Sequence, residues 1–242
     1  MGKDKLRLLH ILPVTAEGIM SAEAEEDMRR YLAEGTEVVH RQVTGGAETI
    51  QCEYDTALSA PHAAELAAEE CAAGEIDGVF IDCFADPGVR AARERLELPV
   101  MGGFEPAIYL GLGLGDNLGI ITIRRNIVPL IRGGIARAGV GGRIACVRTL
   151  DMSVLELRER EKLMERLHRE CLEAIEADGA EVLILGCTAA VGVGGELARL
   201  LRADGHDVPV LEAAQCALAL TELYARMGLY QSRVTYMAPP GK

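Results

Sequence analysis

The sequence lacks the residue spacings by which cysteine and histidine usually hold metals. Its seven cysteines include no Cys-x-x-Cys pair, and no two of its five histidines stand at ligand spacing. Zinc-ribbon and thioredoxin-type sites therefore have no support. We expect no metal and no other cofactor, and the default for the cysteines is seven free thiols, most of them small core residues.

Excess positive charge and long apolar runs are also missing. The chain carries 25 Lys and Arg against 37 Asp and Glu, a net charge of −12, which argues against nucleic acid or an anionic membrane surface as its main partner. No apolar run approaches the ~20 residues that cross a bilayer. The charged start Met1-Gly-Lys-Asp-Lys-Leu-Arg7 does not read as a secretory signal. We expect a cytoplasmic protein whose partner is a small molecule.

One stretch with chemical potential is Asp77-Gly-Val-Phe-Ile-Asp-Cys-Phe-Ala-Asp-Pro-Gly88. Its apolar run predicts a buried strand that ends at Cys83, and Pro87 with Gly88 predicts a helix over Val89–Arg95. A cysteine at the carboxyl end of a strand lies where parallel α/β sheets bind ligands. The nearby helix start predicts a lowered thiol pKa. Asp86 can cap that helix or orient the Cys83 loop, and we favour the cap.

The same arrangement occurs a second time in the chain. The run Glu181-Val-Leu-Ile-Leu-Gly-Cys187 is again apolar and ends in cysteine, and a Gly-rich turn and a helical pattern follow it. Asp77 and Glu181 each stand six positions before their cysteine. This internal repeat predicts two similar lobes, each with one cysteine at the same topological position.

Strand and helix patterns alternate along the whole chain, which predicts parallel sheets wrapped by helices. The predicted fold is α/β, with two pseudo-symmetric lobes and the active site between them. Lobe 1 comprises residues 1–103 and 213–242, with the C-terminal helix packing back onto it, and lobe 2 comprises residues 104–212. The glycines of Gly111-Leu-Gly-Leu-Gly115 precede a strand rather than a helix, so we interpret them as a helix end and linker, not a nucleotide loop.

Facing lobes would place Cys83 and Cys187 on either side of one small cavity. One thiolate can then remove a proton from an α-carbon while the other thiol donates a proton to the opposite face. The carbanion needs donors, which the N–H groups after each cysteine and nearby hydroxyls can supply. The candidate substrate-binding residues are Thr15, Phe84, Ala85, Thr122, Thr188 and Ala189. His10 and His40 lie in or beside strands, where we expect core or surface roles.

These motifs resemble a known family. The motif Cys83-Phe-Ala-Asp-Pro-Gly88 resembles the Cys-Phe-Gly-Asp-Pro-Gly of the hydantoin and allantoin racemase branch of the aspartate/glutamate racemase superfamily, and Leu185-Gly-Cys-Thr188 is similar to the family's second cysteine motif. The resemblance implies a cofactor-independent, two-base mechanism with Cys83 and Cys187 as the acid/base pair. It also implies two pseudo-symmetric α/β lobes and a homo-oligomer.

One segment departs from the family pattern. The first strand of the family typically ends in Asn-Pro-Asn-Thr, whereas this chain has Leu12-Pro-Val-Thr15. Leu12 and Val14 replace two amides that would hydrogen-bond a polar substrate, so we expect a different or more apolar substrate.

Three functions fit the sequence. The first is a racemase or epimerase that inverts a stereocentre α to a carbonyl or carboxylate. The second is a maleate-type cis–trans isomerase with a nucleophilic cysteine. The third is a non-catalytic sensor of small acids on the same scaffold.

Overall fold

Two parallel sheets of four strands each, both flanked by helices, form the chain in the computed structural model, which describes residues 5–240. The strands are β1 Leu6–Leu12, β2 Thr36–Gln42, β3 Gly78–Ile81, β4 Val100–Met101, β5 Leu118–Thr122, β6 Ile144–Thr149, β7 Val182–Leu185 and β8 Val210–Glu212. The helices are α1 Ala22–Arg29, α2 Glu53–Ala73, α3 Val89–Arg95, α4 Phe104–Leu112, α5 Val128–Ala138, α6 Arg160–Glu176, α7 Gly194–Ala203 and α8 Ala213–Arg226. The α/β class and the parallel sheets are confirmed.

The two sheets repeat one topology. The first has the strand order β2-β1-β3-β4 and the second has β6-β5-β7-β8, with every neighbouring pair parallel. Strands β3 and β7 therefore occupy equivalent positions, and Cys83 and Cys187 follow them at equivalent distances. The predicted pseudo-symmetry is confirmed, and it brings both cysteines to the carboxyl edges of the two sheets.

Helices cover both faces of the first sheet. On one face, Leu9, Ile11, Val79 and Ile81 pack with alanines of α2 and with residues of α3. On the other face, Leu8 and Phe80 pack with residues of α1 and α8. Because β1 and β3 are buried on both faces, they consist of apolar residues apart from Arg7 and His10 in β1. The C-terminal helix α8 thus returns to the first sheet.

The core of the second sheet extends to the first lobe. One face of β5 and β7 packs against α6 and α7. The other face packs against α4 and α5, and this cluster includes Val14, Ile50 and Phe84 from the first lobe. The apolar contact between the lobes therefore lies directly beside the strand ends. The division into residues 1–103 with 213–242 and residues 104–212 stays a prediction, and residues 1–4 and 241–242 lie outside the described part.

Gly111 and Gly113 fall at the end of α4, as the linker interpretation predicts. None of the helices between residues 5 and 240 combines the length and apolar character needed to cross a membrane. The charged start of the chain, from which we expected no secretory signal, lies largely in residues 1–4, outside the described residues.

Candidate active site

A cavity of about 70 Å³ lies between the lobes and has both repeated cysteines in its wall. The first lobe contributes the end of β1 and the loop after β3, and the second lobe contributes the end of β5 and the loop after β7. Most of the lining is apolar, and it includes Leu12 and Val14. The two positions that depart from the family pattern therefore face the cavity.

The two cysteines have matching surroundings. The Ala85 N–H donates to Cys83 Sγ at 3.4 Å. The N–H groups of Ala189 and Ala190 likewise lower the pKa of the Cys187 thiol, and the Ala190 N–H donates to the Cys187 carbonyl at 3.0 Å. In each lobe, the loop after the strand thus aims the N–H of the second residue after the cysteine at the sulfur. These donors stabilise a thiolate and so prepare both sulfurs for proton transfer.

The predicted lowering of the thiol pKa is wrong. Burial raises the pKa of Cys187 to about 11, and it also raises the pKa of Cys83 above its usual range. The N–H groups oppose this rise, whereas the nearby Asp82 carboxylate adds to it at both sulfurs. Helices α3 and α7 begin only at Val89 and Gly194, several residues beyond the cysteines. The partial positive charge at their N-termini is therefore too far away to lower the thiol pKa below its usual value.

Asp86 does not cap α3, contrary to the sequence-based prediction. It has a left-handed backbone with φ of 52°, and the N-cap position of α3 belongs to Gly88. Asp86 Oδ1 instead accepts from the Phe104 N–H at the start of α4, at 3.1 Å. Burial raises the pKa of Asp86 to about 7. Its side chain therefore ties the Cys83 loop to a helix of the other lobe.

Five of the six predicted substrate-binding residues line the cavity: Phe84, Ala85, Thr122, Thr188 and Ala189. Thr15 is not part of the lining, because its hydroxyl and its N–H both bind the Ala47 carbonyl. The Thr122 hydroxyl donates to the Gly186 carbonyl at 3.1 Å, so its proton is not available to hydrogen-bond a substrate. Thr188 is buried and carries the other hydroxyl in the lining.

Sequence reasoning missed Asp82, which also lines the cavity. Its side chain is 4% exposed, and Oδ2 lies 2.9 Å from His10 Nε2. Asp82 stands directly before Cys83 in the motif, but its partner His10 is on another strand. The available signal was the register of the parallel strands, which sets His10 beside Phe80, two residues before Asp82.

No group of three or more His, Cys, Asp or Glu side chains among residues 5–240 has the geometry to hold a metal ion. The titratable side chains of the cavity lining are Asp82, Cys83 and Cys187, and the lining includes no Lys, Arg or His among the described residues. The chemistry available there is therefore that of two thiols, one carboxylate and backbone donors.

Comparison with known proteins relates the chain to racemases. A family model described as Asp/Glu/hydantoin racemase matches residues 15–221. A hydantoin racemase of Rhizobium meliloti is 31% identical over 96% of this chain and 94% of its own, and one of Paenarthrobacter aurescens is 27% identical over 98% and 99%. The structure of an allantoin racemase from Klebsiella pneumoniae superposes with a TM-score of 0.90 at 28% identity, covering 98% of this chain and 95% of that one.

The two-lobed fold and these likenesses define an isomerase of the racemase class. Within that class, the chain belongs to the Asp/Glu/hydantoin racemase family.

Proposed function

We propose that this protein racemises a small, uncharged cyclic amide of the hydantoin type, without a cofactor, by acid/base catalysis with Cys83 and Cys187. The observation that carries the proposal is the placement of the two cysteines at equivalent strand ends on one cavity. One sulfur removes the α-proton as a thiolate while the other delivers a proton to the opposite face. The roles exchange for the other enantiomer, which requires two similar groups.

The cavity lining favours a carbonyl-activated substrate over a free acid. The apolar side chains of Leu12, Val14 and their neighbours suit an uncharged ring. A substrate carboxylate would meet Asp82 without a cationic side chain in the described lining to balance it. The hydantoin and allantoin racemase names of the relatives agree with this choice. Maleate-type isomerisation and the sensing of small acids require an anion in the same place.

Solvent exchange tests the proposed function. In D₂O, we expect the protein to invert single enantiomers of hydantoins with an apolar 5-substituent, with the more polar allantoin as the comparison, and to place deuterium at the inverted carbon, because the delivering thiol exchanges with solvent. Chiral chromatography with mass spectrometry measures both, against a protein-free control for spontaneous exchange. Inversion that retains the original proton contradicts the two-base mechanism. Conversion of maleate to fumarate supports the cis–trans isomerase, and binding without exchange supports the sensor.

The pH dependence follows from the raised thiol pKa. Since the pKa of Cys187 is about 11 and that of Cys83 is also raised, the thiolate is a minor species at neutral pH. Each increase of one pH unit then multiplies its fraction about tenfold. We expect kcat/KM for inversion to rise with a slope near one between about pH 6 and 8 and to fall again only when both thiols ionise. A flat profile of initial rates over this range contradicts the assignment.

A further inference from the structure

Asp82 has one carboxylate oxygen to which no described residue donates a hydrogen bond. Oδ2 lies 2.9 Å from His10 Nε2, in a fully buried contact. Oδ1 is buried too and has no hydrogen-bond partner among residues 5–240. Buried polar atoms in proteins almost always have partners, so an orphaned carboxylate oxygen in a cavity wall indicates a ligand group. Asp82 lines the same cavity as Cys83 and Cys187, and its charge raises the pKa of both thiols.

A line of three polar side chains, His10, His40 and Arg29, leads from Asp82 away from the cavity. His10 Nδ1 lies 2.8 Å from His40 Nδ1, and His40 Nε2 lies 2.8 Å from an Arg29 N–H group. Arginine can only donate, so His40 Nε2 accepts. Burial, together with the neighbouring His10, lowers the pKa of His40 to about 4, so its ring is neutral at pH 7. Its proton is then assigned to Nδ1, which donates to His10.

This direction of donation continues to the cavity. His10 accepts at Nδ1 and therefore carries its proton on Nε2, which donates to Asp82 Oδ2. Every ring nitrogen in the line is then satisfied. Asp82 is fixed as an acceptor at Oδ2, and Oδ1 is the oxygen left without a described partner in a side chain that lines the cavity. The line fixes the orientation of the carboxylate before any ligand binds.

The second lobe shows that the fold itself does not require this polar line. The Asp82 N–H donates to the Ile11 carbonyl at 2.8 Å, and the Gly186 N–H donates to the Ile121 carbonyl at 2.7 Å, so the two strand ends are built alike. The register of the strands gives the equivalent residues as Ile120 for His10, Val147 for His40 and Gly186 for Asp82. The same backbone is thus built once with apolar residues and once with a buried polar line. The difference indicates a task for Asp82 in the cavity.

We propose that Asp82 Oδ1 accepts a hydrogen bond from an N–H group beside the stereocentre of the substrate, with His10 and His40 as positioning residues. This inference rests on the proposed function and deepens it. It selects uncharged N–H-bearing rings, such as cyclic ureides, and it disfavours compounds whose group next to the stereocentre is a free carboxylate. It also gives the two lobes different tasks, since the substrate N–H binds on the side of the first lobe.

Matched substrates test the proposal on the unmodified protein. A 5-substituted hydantoin and its N1-methyl and N3-methyl derivatives differ in single N–H groups. We expect methylation of the N1 position, beside the stereocentre, to lower kcat/KM for inversion about 10- to 100-fold, as the loss of a buried hydrogen bond to a charged acceptor does. N3-methylation should lower it much less.

Variants at Asp82 assign the effect to this side chain. In Asp82→Ala, the parent hydantoin should lose about 10- to 100-fold in kcat/KM, and the N1-methyl derivative should become as good a substrate as the parent, because the shorter side chain admits the methyl group. Asp82→Asn keeps the shape. Its amide oxygen accepts from His10, so its NH₂ group takes the place of Oδ1, where it cannot accept, and the preference for N1–H should again be lost. Thermal melting confirms that both variants fold.

Two further variants separate direct contact from general electrostatics. Asp86→Asn removes another carboxylate near Cys83, but Asp86 is not part of the cavity lining, so the preference for N1–H should be unchanged. His10→Ile copies the second lobe and removes the group that orients Asp82. The His10→Ile variant should show a smaller preference for N1–H over N1-methyl substrates. If His10 had only a structural role, this preference would be unchanged.

The outcomes distinguish this inference from the proposed function. Inversion of the parent with no N1-methyl discrimination, or with discrimination that survives in Asp82→Ala, overturns the role of Asp82 while the racemase proposal stands. If no hydantoin is inverted, the proposed function fails, and calorimetry then decides the inference. If the unmodified protein binds the parent more tightly than its N1-methyl derivative, and Asp82→Ala loses this preference, the result supports Asp82 as the N–H acceptor. Equal binding of the two compounds to the unmodified protein overturns it.

Discussion

Replacing either Cys83 or Cys187 by serine will lower kcat/KM for inversion by about 10²- to 10⁴-fold. A serine hydroxyl has nearly the size of the thiol, but it is far too weak an acid to exist as the anion that removes the proton. Each variant still has one thiol beside the cavity. We therefore expect each to exchange the α-proton of one enantiomer only, without inversion, and the two variants to differ in which enantiomer they exchange.

A matched control is available elsewhere in the chain. Cys52 stands at the N-cap position of α2, away from the cavity, where serine is a favourable residue. Cys52→Ser should keep full activity and equal or greater stability. Deuterium exchange followed separately for each pure enantiomer makes the comparison. Full inversion by both single variants at the cavity would rule out the two-base mechanism.

Gly88→Ala will lower the free energy of unfolding by about 3 to 5 kcal/mol, because the change combines left-handed backbone strain with a steric clash. Gly88 has φ of 74°, and a Cβ at this position would lie 2.3 Å from the Ala60 carbonyl oxygen in α2. Relief of the clash must move α3 away from α2, and with it the loop that carries Cys83. We expect loss of activity at temperatures where the variant remains folded.

Gly139→Ala is the matched control for this prediction. Gly139 has φ of 69°, but no heavy atom lies within 4 Å of its added Cβ. This variant therefore reports the backbone strain alone, about 1 to 2 kcal/mol. Urea unfolding of both variants, followed by circular dichroism, measures the difference. Equal losses in the two variants would show that contact between α2 and α3 adds nothing.

Local patterns and an internal repeat were sufficient to predict much of the site. Apolar runs ending at Cys83 and Cys187 are short-range signals, and strands in equivalent sequence positions take equivalent places in a sheet. The comparison with the family pattern, rather than the repeat, predicted that Leu12 and Val14 face the substrate. Both line the cavity, because the end of β1 lies beside the end of β3.

The errors came from contacts between residues far apart in sequence. Asp86 was assigned to the nearest helix, whereas its partner is the N–H of Phe104, which the β4–α4 connection brings to it. Helix proximity alone predicts a lowered thiol pKa, whereas burial of the sulfur decides it and raises the pKa. The local sequence gives no role to Asp82, because only the strand register reveals its connection with His10 and His40.

The return of α8 to the first sheet has a consequence for the order of folding during synthesis. The second sheet, from β5 to β8, is complete before α8 leaves the ribosome, whereas Leu8 and Phe80 of the first sheet wait for Ala217 and Leu218 to cover them. The first sheet, although made first along the chain, is therefore covered on this face only after α8 has been made. Until then, an apolar face of the first sheet is open to chaperones and to other nascent chains.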